Sequence, residues 1–193
     1  MKIIGLTGGI GMGKTTAAGI LRQRGIPVTD SDEIARGLTQ AGQPVLEEIR
    51  RVFGNGMIRS DGQLHRGALA RIVFSDPCSR KKLEDILHPR IRRERRARLD
   101  VWRSRGEARA VAVVPLLFET GEEKGMETTI CVACEKATQR ERLRQRGWSA
   151  DQIRSRIEAQ LSIEEKMSRA DIVIWSEGSV AVLAEQLARV IPM

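Results

Sequence analysis

Short apolar segments alternate with longer, mixed stretches along this chain. Five segments have the length and composition of β-strands: KIIGLT (2–7), IPVTD (26–30), RAVAVVPL (109–116), TTICVA (128–133) and DIVIW (171–175). The last three are rich in Val and Ile and are apolar on both faces, as is typical of parallel strands covered by helices. The pattern therefore predicts an α/β fold built on a parallel sheet.

The stretches between these segments predict helices with recognisable ends. KTTAAGILRQR follows the glycine-rich GGIGMG, and Gly25 terminates it. Pro44 opens a helix whose apolar residues recur at helical spacing until Gly54. Asp76 and Pro77 supply the cap and first turn of another helix, which we expect Pro89 to break after His88.

Two helical excursions leave the sheet after the carboxyl ends of strands, where open α/β sheets bind ligands. They cover about residues 33–105 and 136–166, and both are rich in Arg. Within the first, the basic run 92–98 is expected to be a solvated face, with attraction of an anionic substrate as its functional alternative. In the second, Arg140 and Arg144 are expected to lie on a solvated helix face.

The 193 residues are near the size of one ordinary domain. The longest apolar run, 110–118, is far shorter than the roughly 20 residues of a membrane helix. The N-terminal segment lacks the features of an export signal, so a cytoplasmic location is expected.

Cys131 and Cys134 are spaced as in a redox or zinc half-site, yet no second Cys or His pair completes one, and we expect both to be core residues.

A formal net charge of +8 indicates an anionic partner, either nucleic acid or phosphorylated small molecules. Aromatic residues make up only 3% of the chain, which leaves little for base stacking on single strands, whereas duplex backbone binding stays open. No membrane association and no obligate protein partner are indicated.

The residues Gly8, Gly13, Lys14 and Thr15 fit the pattern G-x-x-x-x-G-K-[ST] between a strand and a helix. In such a P-loop, backbone N–H groups surround the phosphates of ATP, the lysine reaches the β and γ phosphates, and the Thr15 hydroxyl ligates Mg²⁺. The predicted ATP-binding loop consists of Gly8, Gly9, Ile10, Gly11, Met12, Gly13, Lys14, Thr15 and Thr16.

A P-loop does not identify the phosphoryl acceptor. The chain lacks the N-K-x-D motif of GTPases, whereas it offers candidates for the three needs of a small-molecule kinase: an acceptor-binding region, an arginine-rich lid and a carboxylate base. The base is sought in the sequence DSD, where Asp30 and Asp32 follow the second strand. One of them could instead cap the next helix, and the two roles are compatible.

Motifs along nearly the whole chain resemble those of bacterial dephospho-CoA kinases. The matching segments are GLTGGIGMGKTT (5–16), DSDEIAR (30–36), HPRIR (88–92), VPLLFE (114–119), RLRQR (142–146), IEAQ (157–160) and Lys166 with AD at 170–171. The resemblance implies a P-loop NTPase fold: three α/β/α layers on a five-stranded parallel sheet, with a CoA-binding helical insertion (33–105) and a helical lid (136–166). The nucleotide-binding core would be residues 1–32, 106–135 and 167–193.

The same resemblance implies an activity and site residues. The activity is transfer of the ATP γ-phosphoryl group, with Mg²⁺, to the 3′-hydroxyl of dephospho-CoA. Asp32 would be the base and Asp30 a structural or metal-side acid, although which of the two carries the proton stays open. The remaining assignments are catalytic Lys14 and Arg142, ATP-binding Arg146 and Ser176, and substrate-binding His88, Leu116, Phe118 and Glu119.

Several alternatives stay open beside this interpretation. His88 could stabilise the fold, and Leu116 and Phe118 could be core residues. Ser176 stands where the family pattern has an asparagine that would contact adenine, and a serine could keep a single hydrogen bond of that contact. The rival functions are another P-loop small-molecule or nucleoside monophosphate kinase and a nucleotide-dependent nucleic-acid-binding regulator.

Overall fold

The computed structural model describes residues 1–192 and contains one five-stranded sheet in which all neighbouring strands are parallel. The strands lie in the order β2-β3-β1-β4-β5. Their bounds are β1 (Lys2–Thr7), β2 (Val28–Asp30), β3 (Arg109–Val113), β4 (Thr128–Ala133) and β5 (Ile172–Trp175). All five predicted strands are confirmed, three of them with shorter ends. The parallel arrangement brings the carboxyl ends of β1, β2 and β3 to one edge of the sheet.

Helices occupy most of the chain between the strands. Their bounds are α1 (Lys14–Gln23), α2 (Ser31–Leu38), α3 (Val45–Phe53), α4 (Arg66–Ser75), α5 (Pro77–Ser104), α6 (Lys136–Gln145), α7 (Ala150–Glu158), α8 (Ile163–Arg169) and α9 (Val180–Val190). Short 3-10 turns occupy Asn55–Met57 and Glu122–Gly125. Asp76 caps α5, because its carboxylate accepts from the backbone N–H groups of Cys78 and Ser79.

The sheet is covered on both faces, which gives the three expected layers. Successive side chains of a strand point to opposite faces. On one face, Leu6 of β1, Val111 of β3 and Ile130 of β4 pack with buried residues of α1 and α9. On the other, a smaller cluster around Ala112 and Leu117 lies on the side of the sheet that includes Ile3, and α8 contacts β4.

The chain divides into two compact units. We call them the core unit, Met1–Asp30 with the chain from Leu99 onward, and the insertion unit, Ser31–Arg98. The insertion unit has its own apolar cluster, whose buried members are Val45, Leu46, Ile49, Met57, Leu64, Leu69, Val73 and Ile86. Burial of a large aliphatic side chain contributes about 1.5–3 kcal/mol, so this cluster gives the unit a hydrophobic centre of its own.

Helix α5 continues through Pro89, so the predicted break after His88 is wrong. Proline has no backbone N–H to donate, and its ring crowds the preceding turn, so carbonyl oxygens in that turn become accessible to other hydrogen-bond donors. The carbonyl of Ile86 accepts from Arg90 Nη1 at 2.6 Å, and Arg90 Nη2 also contacts Glu48 Oε2 at 2.6 Å. A side chain one residue beyond the proline therefore satisfies a backbone group in the disturbed turn and ties α5 to α3.

The basic run 92–98 is not uniformly a solvated face. Arg95 is only 7% exposed, and its Nη1 donates to the Ser31 hydroxyl at 3.1 Å, whereas Arg93 and Arg96 are exposed. Burial lowers the pKa of Arg95 to about 10, with the neighbouring charge of Arg92 acting in the same direction. The prediction is therefore wrong at Arg95, which holds the first residue of α2.

The three cysteines are unpaired and differ in accessibility. Cys131 and Cys134 are buried, as predicted for core residues, and Cys78 near the start of α5 is exposed. Burial raises the pKa of both inner thiols, that of Cys131 to about 11. Within residues 1–192, no helix combines the length and the apolar character that crossing a membrane requires.

Candidate active site

The phosphate loop connects β1 to α1 through backbone conformations that glycine tolerates best. Gly8, Gly11 and Gly13 have φ angles of 142°, 77° and 93°. A Cβ on Gly8 would lie 2.2 Å from the carbonyl oxygen of Val132, so the loop approaches β4 more closely than a side chain permits. The predicted spacing of glycines thus corresponds to steric requirements of the loop.

Lys14 is the first residue of α1, and its ammonium reaches back across the loop to the carbonyl oxygens of Gly8 (2.8 Å) and Gly9 (2.9 Å). The N-cap of α1 is Gly13, which has no side chain to cap the helix, and the first turn carries no acidic residue. The positive end of the helix is therefore available to an anion beside a fixed ammonium. The binding of phosphate by Lys14 and this helix end stays a prediction.

Ser176, directly after β5, connects the phosphate loop to an arginine of α6. Its hydroxyl donates to the Met12 carbonyl oxygen at 3.0 Å and accepts from Arg142 Nη1 at 2.9 Å. Arg142 Nη2 also donates to the Ser176 carbonyl oxygen at 2.6 Å. A serine at this position thus holds a guanidinium next to the loop, and the hydrogen bond from Ser176 to adenine stays a prediction.

A groove of about 350 Å³ opens beside these contacts. The structure brings Arg142, Arg146 and Ser176 together there with loop residues Gly11 and Gly13. A second groove, of about 360 Å³, lies between α6 and α7, and its Arg144 and Arg154 are paired with Glu141 and Asp151. Of these two, only the groove at Ser176 is lined by the phosphate loop.

The two aspartates of DSD belong to different elements. Asp30 is the last residue of β2 and is 6% exposed, whereas Asp32 lies exposed in the first turn of α2. Between them, Ser31 is held by buried Arg95, as described above. Asp32 therefore has the accessibility that a base acting on a bound substrate requires, and Asp30 has the burial of a structural acid.

The segment after β3 carries Leu116, Phe118 and Glu119. Leu116 is half-buried, and Phe118 is a buried core residue whose ring lies 4.8 Å from the guanidinium of Arg169. Glu119 Oε1 accepts from Lys166 Nζ at 2.7 Å and from the Leu161 N–H at 3.0 Å. These contacts bring Glu119 to the segment that joins α7 to α8.

Lys166 is fully buried, although the sequence marked it only through the family motif. Besides Glu119, its ammonium contacts the Pro115 carbonyl oxygen at 2.6 Å, and the Thr7 hydroxyl donates to the same oxygen at 3.2 Å. Thr7 ends β1 directly before the phosphate loop, so the Pro115 carbonyl oxygen links the buried ammonium to the residue that precedes the loop. Reasoning from the sequence gave Lys166 no role, because its partners lie 51 and 47 positions away in the chain.

His88 lies within α5 of the insertion unit and is half-buried. Burial is the largest influence on its pKa and lowers it below the ordinary value of 6.5. The imidazole is therefore mainly neutral at pH 7 and suits a hydrogen bond better than an ion pair.

The donor groups in the described chain fit Mg²⁺ held mainly by a nucleotide. Among residues 1–192, no cluster of three or more His, Cys, Asp and Glu side chains is placed to hold a metal ion. Thr15 is exposed in the first turn of α1, where its hydroxyl is accessible. Mg²⁺ commonly takes one or two protein oxygens together with phosphate oxygens and water, which these residues permit.

A parallel sheet whose first strand leads through a phosphate loop into a helix, with a lysine and an arginine converging on that loop, is the P-loop nucleotide-binding fold that P-loop kinases share. Shikimate kinase from Aquifex aeolicus has the same fold, with a TM-score of 0.50 at 18% identity over 98% of this chain and 95% of its own. The chain belongs to the dephospho-CoA kinase family, whose model matches residues 2–181.

Individual relatives support the same assignment. The dephospho-CoA kinase of Anaeromyxobacter dehalogenans is 43% identical over 99% of this chain and 91% of its own. That of Bdellovibrio bacteriovorus is 41% identical, covering 99% and 95%. The structure of dephospho-CoA kinase from Campylobacter jejuni has a TM-score of 0.70 at 27% identity, covering 99% and 96%. The structure of TT1252 from Thermus thermophilus has a TM-score of 0.81 at 40% identity, covering 98% and 96%.

Proposed function

We propose that the protein transfers the γ-phosphoryl group of ATP to the ribose 3′-hydroxyl of dephospho-CoA, giving CoA and ADP in the cytoplasm. The observation that carries the donor half of this proposal is the junction at Ser176, which joins Arg142 to the phosphate loop next to a groove. The acceptor is inferred from family membership.

The triphosphate would lie along the backbone N–H groups of the loop, with Lys14 and the positive end of α1 balancing its charge. The adenosine would occupy the groove lined by Arg146 and Ser176. Arg142, fixed by two hydrogen bonds to Ser176, would stabilise negative charge on the transferring group. A preorganised guanidinium suits this reaction because positioning and charge stabilisation supply most of phosphoryl-transfer catalysis.

Mg²⁺ would be held by the nucleotide and the Thr15 hydroxyl, and it would neutralise charge on the β and γ phosphates. Asp32 would accept or orient the proton of the attacking hydroxyl, because its carboxylate is exposed at the start of α2. Asp30, buried at the end of β2, would be a structural or metal-side acid. The assignments of the insertion to CoA binding and of residues 136–166 to a lid that excludes water belong to the same proposal. So do substrate contacts by His88, Leu116, Phe118 and Glu119.

The test is ADP release with Mg·ATP and a panel of acceptors: dephospho-CoA, AMP, CMP, shikimate and none. We expect release above the blank with dephospho-CoA alone, and CoA in the product by mass spectrometry. Release with AMP or CMP instead would identify another P-loop kinase. Release equal to the blank throughout would overturn the kinase assignment, and salt-dependent binding to duplex DNA would then test the nucleic-acid alternative.

The role of Asp32 needs a separate variant. Asp32→Asn keeps the shape of the side chain and removes the base, so kcat should fall by about 10²–10⁴-fold while ADP affinity stays unchanged. Glu185→Gln, an exposed acid on α9, is the control for loss of one negative charge. Normal turnover by Asp32→Asn would remove the assignment.

A further inference from the structure

Two glutamines outside the phosphate loop hold the backbone of its central residue. The Ile10 carbonyl oxygen accepts from Gln139 Nε2 at 2.7 Å, and the Ile10 N–H donates to Gln160 Oε1 at 3.2 Å. Gln139 lies on α6 and is 4% exposed, whereas Gln160 lies between α7 and α8. The two side chains thus satisfy both hydrogen-bonding groups of one residue from two separate elements.

These bonds fix two consecutive peptide planes. In a trans peptide the C=O and the following N–H point in opposite directions. Because Gln139 holds the Ile10 carbonyl, the Gly11 N–H must point away from Gln139. Because Gln160 holds the Ile10 N–H, the Gly9 carbonyl must point away from Gln160, and that carbonyl accepts from Lys14 Nζ and from the Met12 N–H.

The loop needs such external support because four of its six residues in GGIGMG are glycine. Glycine loses more conformational freedom on ordering than any other residue. Helix α6 also limits the loop sterically: a Cβ added to Gly11 would lie 2.9 Å from Leu143 Cγ. Side chains of α6 therefore restrict the loop through both packing and hydrogen bonding.

The two glutamines also connect the phosphate loop to the beginning and to the end of the segment 136–166. Gln139 is in its first helix, and Gln160 is near its end. The residue after Gln160 donates its N–H to Glu119, which pairs with buried Lys166. The backbone next to Gln160 is therefore attached to the Glu119–Lys166 pair of the core unit.

We propose that Gln139 and Gln160 are positioning residues that hold the phosphate loop in its phosphate-binding conformation. Neither side chain needs to touch the nucleotide. Both act through the Ile10 peptide groups, which set the direction of the neighbouring loop N–H and C=O groups. The proposal rests on the donor half of the proposed function, binding of a nucleotide by the loop, and is independent of the acceptor.

The variants are Gln139→Met and Gln160→Met, which keep side-chain length and remove the hydrogen bond. Gln23→Met, at an exposed position at the end of α1, is the matched control. Affinities for ADP and for adenosine are measured by calorimetry and competition without any acceptor. A failure of the dephospho-CoA assignment therefore cannot alter the result.

We expect each variant to bind ADP about 3–10-fold more weakly, the equivalent of one lost hydrogen bond, with adenosine affinity unchanged. The double variant should lose less than the product of the two factors, because both bonds order the same stretch of backbone. A general loss of folding would instead weaken ADP and adenosine together.

Amide exchange gives a second, independent readout. The Ile10 N–H should exchange faster in Gln160→Met and much less so in Gln139→Met, which leaves that donor paired. ADP affinity within twofold of the Gln23→Met control in both variants would overturn the proposal. Equal losses of ADP and adenosine affinity, or unchanged Ile10 exchange in Gln160→Met, would overturn it as well.

Discussion

Lys166 shows how a charged side chain is accommodated inside the core unit. Its ammonium is fully buried and has two oxygen partners, one on Glu119 and one on Pro115. A buried ion pair stabilises a protein little in total, because desolvation offsets much of the attraction. Removal of one partner is costly, since the other charge is left without compensation.

We predict that Lys166→Met lowers the free energy of unfolding by about 3–5 kcal/mol, because it leaves the mostly buried Glu119 carboxylate without its ammonium partner. The double variant Lys166→Met with Glu119→Gln should recover much of this loss, since the amide can still accept from the Leu161 N–H. Urea denaturation of the single and double variants measures both values. Additive losses would show that the two side chains do not act as a pair.

His88 makes stability depend on pH. Its folded pKa lies below 6.5, mainly through burial, so the unfolded state binds more protons as the pH falls. The contribution of His88 to stability is therefore complete at pH values above 6.5, the ordinary pKa of histidine. It is lost as the pH falls through 6.5 toward the lower pKa of the folded state. His88→Gln should reduce the decline in unfolding free energy between about pH 7.5 and pH 5. Equal declines in both proteins would contradict the burial argument.

At the level of elements, local signals predicted most boundaries. Strand β4 and helix α3 match the predicted ranges, because a short run of β-branched and apolar residues marks the strand and Pro44 and Gly54 bound the helix. Helix α5 does not, because packing and the Arg90 side chain support the turn that Pro89 disrupts. The glycine spacing likewise predicted the phosphate loop. The glutamines that hold Ile10 could not be found this way, since they lie 129 and 150 positions away.

The contact between the loop and α6 gives a steric prediction. Gly11→Ala places a Cβ 2.9 Å from Leu143 and requires a side-chain-bearing residue at a φ of 77°. We expect ADP affinity to fall by about tenfold or more, since a left-handed conformation alone costs roughly 1–2 kcal/mol. Leu143→Ala in the same chain should restore only the steric part.

Gly19→Ala is the matched control for this change, because Gly19 lies inside α1 with open space around it. It should leave ADP binding unchanged and should stabilise the helix by up to about 1 kcal/mol. Unchanged ADP affinity in Gly11→Ala would mean that the loop adapts to the added methyl group.

For the whole molecule, the net charge of +8 is expected to favour encounter with anionic substrates. The kcat/KM for dephospho-CoA should therefore fall with increasing salt while kcat changes little. Neutralisation of the exposed pair Arg93 and Arg96 to Gln should raise KM at low salt by about two- to fivefold and much less at high salt. The test is a salt series of initial rates.

The control removes the same number of charges elsewhere. Arg105 and Arg189 are exposed in the core unit, and Arg105 precedes the amino end of β3. If their double change to Gln raises KM as much as that of Arg93 and Arg96, then total charge and not the location on α5 determines the effect.

The unequal exposure of the cysteines has a practical consequence. Two of the three thiols are buried, and burial raises their pKa, so at neutral pH they are shielded protonated groups. Cys78, at the start of α5 in the insertion unit, is the thiol that a maleimide reagent reaches first. The sequence thus offers one accessible thiol at a known position, and a fluorescent or spin label attached there reports on the insertion unit without an engineered attachment point.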